Sequence, residues 1–223
     1  MRKGLIVINL AGLAFTAALV VVFVRWKRQH VGAPTIPAPP ASAAAPPARS
    51  ETTRPLQLAD PAHVDVLDAY AAAKAAALEI QPGAELFGIS ATGLSHGTLD
   101  LSGPGPSLLF QFDHAGVADG GARVKRHVAV EVKAGGLRIT SVEGAMLAGT
   151  PEGRSLAALD EPACPSRKAW ATAVESGVPE DATATLLLRG GDGRLVWSLY
   201  LPRYPLKHRE IDARTCELVQ TLP

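Results

Sequence analysis

The longest apolar segment of this 223-residue chain lies near its beginning, where Leu5–Val24 contains twenty residues without a charge. Its only polar side chains are those of Asn9 and Thr16. A helix of about 20 apolar residues is long enough to cross a hydrocarbon core of about 30 Å. A basic sequence follows directly and no small-residue cleavage site adjoins the segment, which distinguishes it from a cleaved signal peptide. The pattern therefore predicts a retained signal-anchor, a single transmembrane helix at residues 5–25 after a tail of residues 1–4.

The sequence after this segment is first basic and then rich in proline and alanine. Residues 33–48 (APTIPAPPASAAAPPA) favour polyproline II conformation, which predicts that residues 26–58 form a basic edge and a disordered linker. The positive-inside rule does not settle the orientation, because basic residues flank the apolar segment in nearly equal number on both sides. A spacer of this kind holds a domain away from a membrane and favours an extracytoplasmic, periplasm-like location for the domain.

Beyond the linker, the spacing of apolar residues alternates between helical and strand periods. Asp60 and Pro61 are typical of a helix start, and an apolar stripe at helical spacing predicts a helix over residues 61–80. The alternation typical of β-strands follows at residues 84–91, 98–101, 107–113, 123–132 and 137–142. Residues 59–143 are therefore predicted to form a first α+β unit.

The second half of the chain repeats this order after a connector at residues 144–163. The sequence Cys164–Ser166 opens a predicted helix that ends near Ser176. Strand patterns follow at residues 183–189, 194–201, 207–212 and 217–219. We therefore predict an α+β fold made of two similar units, each a helix followed by an antiparallel meander, the second unit being residues 164–223.

The charge of the domain argues against nucleic acid as its partner. Residues 1–55 hold seven of the 22 Lys and Arg residues but only one of the 21 Asp and Glu residues. The remainder therefore has 15 basic and 20 acidic residues, a net charge of −5. Nucleic-acid affinity comes mainly from basic contacts to phosphate, so an acidic domain is a poor candidate. The short basic cluster from Arg123 to His127 is expected to be a solvated edge.

The second unit is similar to PepSY-type domains in two sequences, Trp197–Leu201 (WSLYL) and Arg209–Val219 (REIDARTCELV). Domains of this family have a helix, a strand with a tryptophan among alternating apolar residues, and a hairpin of the form I-D-A-x-T-G-E-V. Cys216 replaces the hairpin glycine, whose positive φ a cysteine resists. A looser similarity covers residues 61–142. The resemblance implies an extracytoplasmic, non-catalytic domain that binds or inhibits peptidases or other envelope partners, and it supplies no catalytic residues.

The two cysteines of the chain, Cys164 and Cys216, have two possible states. They are able to form a disulfide in an oxidising compartment, or they are two free thiols. A disulfide would join the start of the second helix to the last hairpin, and it would favour the extracytoplasmic orientation.

The sequence contains no recognisable motif for catalysis, phosphate binding or metal binding. The cysteines form no C-x-x-C, and the six histidines form no H-E-x-x-H. The pairs His96 and Asp100, or Asp113 and His114, would contribute to a site only if folding gathered them with other ligands. We expect them to be polar surface residues, and we predict no cofactor, no metal ion and no enzymatic activity.

The aromatic residues fall into two groups. Trp170 and Trp197 each lie on the apolar stripe of their own element and are predicted to be core residues. Tyr200 and Tyr204 lie beside prolines at a strand end, together with Arg203. Tyrosine and arginine are enriched at interface centres, so this segment is the candidate contact surface for a partner.

These features predict a tethered domain anchored to the lipid bilayer through Leu5–Val24. The leading hypothesis is a non-catalytic binding or regulatory domain that acts on an envelope protein partner. The alternative is a structural subunit of an envelope assembly, of the secretion or division type, in which the spacer sets the reach. An enzyme is the third hypothesis, and it would need His96, Asp100 and Asp113 gathered in one pocket.

Overall fold

The computed structural model of the protein describes residues 49–117, 123–145, 158–191 and 193–221. The predicted transmembrane segment Leu5–Val24 and the proline-rich spacer lie outside these residues. Within the described ranges, every helix is too short or too polar to cross a bilayer.

Two helices and nine strands form the described part of the chain. The helices are α1 (Tyr70–Ile80) and α2 (Ser166–Glu175), with short 3-10 turns at Val66–Ala69 and Pro205–Lys207. The strands are β1 (Arg49–Arg54), β2 (Glu85–Ser95), β3 (Ser107–Val117), β4 (Arg123–Lys133), β5 (Gly136–Ala145), β6 (Thr183–Gly191), β7 (Arg194–Tyr200), β8 (Arg209–Asp212) and β9 (Leu218–Thr221). The α+β class predicted from the sequence is confirmed, and the strands form one large antiparallel sheet.

All nine strands belong to one sheet with the order β1-β5-β4-β3-β2-β6-β7-β8-β9, in which every neighbouring pair is antiparallel. The order of one helix followed by four strands occurs twice along the described residues, as α1 with β2–β5 and α2 with β6–β9. The first strands of the two sets, β2 and β6, pair at the centre, with a register shift between Thr92 and Leu94.

A row of buried apolar side chains crosses the sheet from β5 to β8 and forms the centre of the core. Cross-strand pairing links its members in the order Ile139, Val130, Phe110, Ile89, Leu188, Trp197 and Ile211. Side chains that face each other across neighbouring strands share one face of the sheet, so the whole row points the same way. The ring of Tyr70 on α1 lies 5.8 Å from that of Phe110, and Trp197 Nε1 donates to the Cys164 carbonyl at 2.9 Å. Both helices therefore cover the same face.

The N-termini of the two helical segments meet at one buried carboxylate, that of Asp65. Its Oδ1 accepts the backbone N–H of Leu67 at 3.0 Å, at the start of the first helical segment. The same oxygen accepts the N–H of Ser166 at 3.2 Å, and Oδ2 accepts the N–H of Arg167 at 3.0 Å, both in the first turn of α2. The first N–H groups of a helix have no partner within the helix, so a single side chain satisfies these groups at two helices.

The hydroxyl of Ser166 extends this contact. It donates to the Gly97 carbonyl at 2.8 Å and accepts the N–H of Val66 at 3.1 Å. Gly97 has a φ of +77°, and a Cβ there would lie 2.7 Å from the Arg167 Cα, so the turn after β2 approaches α2 as only glycine allows. Asp65, Ser166 and Gly97, here called the Asp65 cluster, connect the first half of the domain to the second.

The first helix begins later than the sequence suggested. The prediction of a helix from residue 61 was wrong, because Val64 instead pairs with Leu99 through two backbone hydrogen bonds of 3.0 Å. Asp65 caps the 3-10 turn that leads into α1, whereas Asp60 accepts the N–H of Ala62 in an exposed turn. Two aspartates five residues apart both precede apolar residues, and the sequence pattern did not discriminate between them.

Two further elements differ from the prediction. The strand expected at residues 98–101 is absent, because Thr98 and Leu99 make only isolated bridges to Ser95 and Val64. Residues 49–54, predicted as part of the linker at 26–58, instead form β1 on the edge of β5. All six residues of β1 are polar, so it lacks the apolar alternation by which the other strands were recognised.

Of the two states that the sequence left open for Cys164 and Cys216, the structure shows the disulfide, with their Cα atoms 5.2 Å apart. The disulfide joins the residue two before α2 to the turn between β8 and β9. Cys216 has a φ of +65°, so its backbone adopts the conformation that the glycine of a PepSY-type hairpin would favour. The disulfide and a hydrogen bond from its N–H to the Asp212 carbonyl, at 2.9 Å, hold it there.

Replacing Asp65 with alanine is expected to destabilise the domain by on the order of 3 kcal/mol, because three helix-terminal N–H groups lose their acceptor. The free energy of unfolding in denaturant measures the effect. Asp60→Ala is the matched control, since Asp60 caps an exposed turn, and it should cost less than about 1 kcal/mol. Equal losses for the two variants would contradict the role assigned to the Asp65 cluster.

The positive φ at Cys216 gives a second prediction. Removing the disulfide, which joins residues 52 apart in sequence, should cost about 4 kcal/mol on the chain-entropy model in a Cys164→Ala, Cys216→Ala variant. A Cys164→Ala, Cys216→Gly variant should be about 1 kcal/mol more stable than the double alanine variant, because only alanine is strained at this φ. The comparison uses denaturant unfolding of both variants. A double alanine variant as stable as the glycine variant would contradict it.

Candidate partner-binding surface

The segment between β7 and β8 carries the contact residues predicted from the sequence. β7 ends at Tyr200, and the next residue, Leu201, is fully buried and fixes the start of the segment. Two backbone hydrogen bonds of 2.9 Å shape the turn, from the Tyr204 N–H to the Leu201 carbonyl and from the Lys207 N–H to the Tyr204 carbonyl. The exposed face of this segment, formed by Tyr200, Arg203, Tyr204, Leu206 and Lys207, is called here the β7–β8 surface.

Large apolar groups are exposed on this surface. The side chain of Leu206 is 77% exposed and that of Tyr200 is 47% exposed. Among the described residues, only two other large apolar side chains, those of Leu78 and Leu218, are classed as exposed, both to a smaller extent than Tyr200. Tyr204 is half-buried and packs against the core, so its ring both anchors the segment and contributes to its surface.

His208 holds the two ends of the segment together. Its Nδ1 accepts the N–H of Leu201 at 3.0 Å, which requires the ring to carry no proton at that nitrogen. The ring also lies against that of Tyr200, with centroids 4.1 Å apart and an angle of 37° between the planes. The His208 ring therefore packs against the exposed Tyr200 ring and restricts its position.

Two cations attach the segment to the C-terminus of α2. The buried Arg209 donates from Nε to the Ser176 hydroxyl and from Nη2 to the Ser176 carbonyl, both at 2.8 Å. Lys207 Nζ donates to the Gly177 carbonyl at 3.0 Å. Positive groups at a helix C-terminus satisfy its last carbonyls and interact favourably with the helix dipole. The β7–β8 surface is thus fixed to both the sheet and a helix.

The exposed side chains of this surface differ in chemical character. It combines an aromatic ring, an aliphatic side chain and the exposed guanidinium of Arg203, which takes part in no ion pair within the described structure. Interface centres are enriched in tyrosine and arginine, and a preformed surface loses less entropy on binding. The predicted contact residues Tyr200, Arg203 and Tyr204 lie in this one segment, and the structure adds the exposed Leu206.

The residues considered for metal binding or catalysis do not converge. Asp113 faces Glu85 at the start of β2, whereas His96 follows the end of β2, about 30 Å away at the rise of a strand. Asp100 hydrogen-bonds to Ser102 in its own turn. Within residues that the structure describes, no group of three or more His, Cys, Asp or Glu side chains is placed to bind a metal ion.

Asp113 pairs across the sheet instead of with its neighbour His114. Its Oδ1 accepts from His127 Nδ1 and its Oδ2 pairs with Lys125 Nζ, both at 2.7 Å. Burial raises the pKa of this carboxyl, but the two hydrogen bonds and the charges of Lys125 and His127 lower it by more, so the net pKa is below the ordinary value of 3.8.

The basic residues predicted as a cluster on β4 make hydrogen bonds, ion pairs and a cation–π contact with nearby residues of the domain. Besides its bond to Asp113, Lys125 lies over the ring of Phe87 at 4.9 Å from its centroid. Arg126 donates from Nε to Glu143 Oε2 at 3.0 Å and from Nη1 to Gln81 Oε1 at 2.9 Å. Lys125, Arg126 and His127 are thus paired with acidic or polar groups, and β4 lies between β3 and β5 rather than at an edge of the sheet.

Trp170 and Trp197 are core residues, as predicted. Trp197 is fully buried and Trp170 nearly so. Sequence reasoning missed Leu206 and His208, which shape the candidate surface. Leu206 was detectable, because a leucine between Pro205 and Lys207 stands outside any apolar alternation. The role of His208 depends on the fold of the turn and had no local signal.

Comparison of the chain with models of protein families, with curated proteins and with solved structures found no match. The resemblance of residues 164–219 to PepSY-type domains therefore stays a prediction.

The lowered pKa of Asp113 predicts a pH dependence of stability. The stabilising contacts of its carboxylate are fully present above the ordinary pKa of 3.8 and are lost as the pH falls through the lower folded-state pKa. Asp113→Asn should therefore be less stable than the native chain at pH 7, with the difference shrinking below about pH 4. Denaturant unfolding at pH 7, 5, 4 and 3 measures this difference. A difference that stays constant down to pH 3 would contradict it.

Proposed function

We propose that the chain is a membrane-anchored, non-catalytic binding domain that acts on an envelope protein partner through the β7–β8 surface. The observation that carries this proposal is the exposure of Leu206, at 77%, on a turn that the protein holds in place. A fixed, exposed apolar side chain beside Tyr200 and Arg203 contributes nothing to the core. It suits burial in a partner.

The proposed location rests on the anchor and the cysteines. Leu5–Val24 would hold the chain in a bilayer, and the proline-rich spacer would separate the domain from it. A disulfide between Cys164 and Cys216 fits an oxidising compartment, so we place the domain outside the cytoplasm.

The PepSY-like interpretation supports a binding role rather than catalysis. The buried Trp197 in a central strand and the positive φ of Cys216 in the last hairpin both fit the family pattern. The repeated order of a helix and four antiparallel strands fits two related units within one sheet. We propose that the units are divergent copies of one PepSY-like module and that the second carries the binding surface.

Site-specific photo-crosslinking in intact cells tests this function. A photoreactive phenylalanine analogue at Leu206 should give a discrete adduct with one envelope protein, because the side chain points into the proposed interface. The adduct should fall at least fivefold when Arg203→Glu or Tyr200→Ser is introduced, a loss of about 1 kcal/mol of binding energy.

The same analogue at Leu78, an exposed leucine on α1, is the matched control and should give no such adduct. An adduct of equal yield at Leu78 would contradict the proposal. So would an adduct at Leu206 that is insensitive to Tyr200 and Arg203, or no adduct at all.

A further inference from the structure

The edge strand β1 lies at the end of the sheet that is far from the β7–β8 surface. It pairs with β5 over six residues, from Arg49 opposite Val142 to Arg54 opposite Leu137. It lies within the range predicted as linker, directly after the proline-rich residues 33–48, and is the first described element of the domain. Anything that changes its pairing therefore changes how the domain is attached to the preceding chain.

β1 contributes almost nothing to the hydrophobic core. Its first five residues are exposed and Arg54 is half-buried. Thr52 extends the buried row of the sheet past Ile139, but it is itself exposed, so the core ends at β5.

Within β1 itself only polar contacts hold the strand, and the first apolar side chains packed against the core, Leu56 and Leu58, follow it. Glu51 accepts from Arg138 on β5 with both carboxylate oxygens, from Nε at 2.8 Å and from Nη2 at 3.1 Å. Arg54 forms a further ion pair with Glu79 at the end of α1. The entropy lost on ordering one residue is of the same size as the net gain from one backbone hydrogen bond, and exposed ion pairs add little. β1 is therefore bound only marginally.

The receiving edge of β5 is shaped for the close approach of a strand. Gly136 has a φ of +150°, and a Cβ at this position would lie 2.2 Å from the Arg54 carbonyl oxygen. A bare edge strand presents unpaired N–H and C=O groups that add an extended segment by backbone pairing. Arg138 then selects a carboxylate at the position that Glu51 now holds, facing Thr140.

We propose that the edge of β5 is a strand-binding site. β1 fills it from within the chain, and an extended segment of another polypeptide that carries a carboxylate at the position of Glu51 displaces β1 and fills it in turn. The partner is an extended segment, because β1 is held weakly enough to be displaced by another strand. It carries a carboxylate two residues before the position opposite Arg138, where Glu51 now lies. This site does not depend on the proposed function, because it lies at the opposite end of the sheet from Tyr200 and Leu206.

Binding of a labelled peptide to the full chain in detergent tests the proposal, with fluorescence anisotropy as the measurement. The probe is a fluorescein-labelled peptide of residues 47–57 (PARSETTRPLQ), whose central six residues are those seen paired with β5. Glu51→Lys in the protein should tighten peptide binding roughly fivefold over the native chain, because the internal strand competes less well. A peptide with proline at the positions of both Thr52 and Thr53 should not bind.

A charge exchange identifies the site. Arg138→Glu should weaken binding of the native peptide at least fivefold, and a peptide with lysine in place of Glu51 should restore it. Lys168→Glu, at an exposed residue on α2, makes the same change in net charge and should leave binding unchanged. Absence of binding to the Glu51→Lys protein would overturn the proposal, as would binding that is indifferent to the charge at residue 138. Neither result would affect the crosslinking expected at Leu206.

Discussion

The carboxylate of Asp65 is the contact through which the two halves of the domain are joined on the helical side of the sheet. Three backbone N–H groups, from Leu67, Ser166 and Arg167, converge on it. The central pairing of β2 with β6 joins the same halves within the sheet. The N-termini of both helical segments lie at this point. Both helices pack on the same face of the sheet, against its row of buried apolar residues. The remaining geometry of the domain depends on this arrangement.

The position of α2 links this contact to the candidate surface. Its N-terminus is held by Asp65, and its C-terminus, at Ser176, receives Arg209 from the start of β8. The disulfide at Cys164 and Cys216 adds a covalent connection between the start of α2 and the β8–β9 turn. The β7–β8 segment is therefore braced by a helix that is itself fixed at both ends, which explains how an exposed leucine is presented on an ordered turn.

The sequence predicts the elements whose apolar residues follow the period of a strand or a helix. It does not predict elements whose existence or ends depend on tertiary contacts. β4, β5 and α2 were found with small errors at their ends, because burial on one face imposes a periodic pattern. β1 was missed because an edge strand exposed on both faces needs no apolar residues. The late start of α1 was missed because only the fold reveals that Val64 pairs with Leu99. The sequence nominated Tyr200, Arg203 and Tyr204 as contact residues, and that role stays a prediction. The packing of His208 against this segment required the structure.

The two ends of the sheet differ in how their outermost residues are stabilised. Near one end, Leu201, Tyr204 and Arg209 tie the exposed residues to the core and to α2, so a partner meets a surface that is already formed. At the other end, β1 has only backbone pairing and ion pairs, so a competing segment needs to replace few interactions. A rigid surface favours specific recognition, since little entropy is lost on binding. A weakly held strand beside the linker favours exchange, and its release would lengthen the tether by six residues, about 20 Å when extended. The two proposed roles, recognition through the β7–β8 surface and strand exchange at the edge of β5, thus rest on separate parts of the sheet.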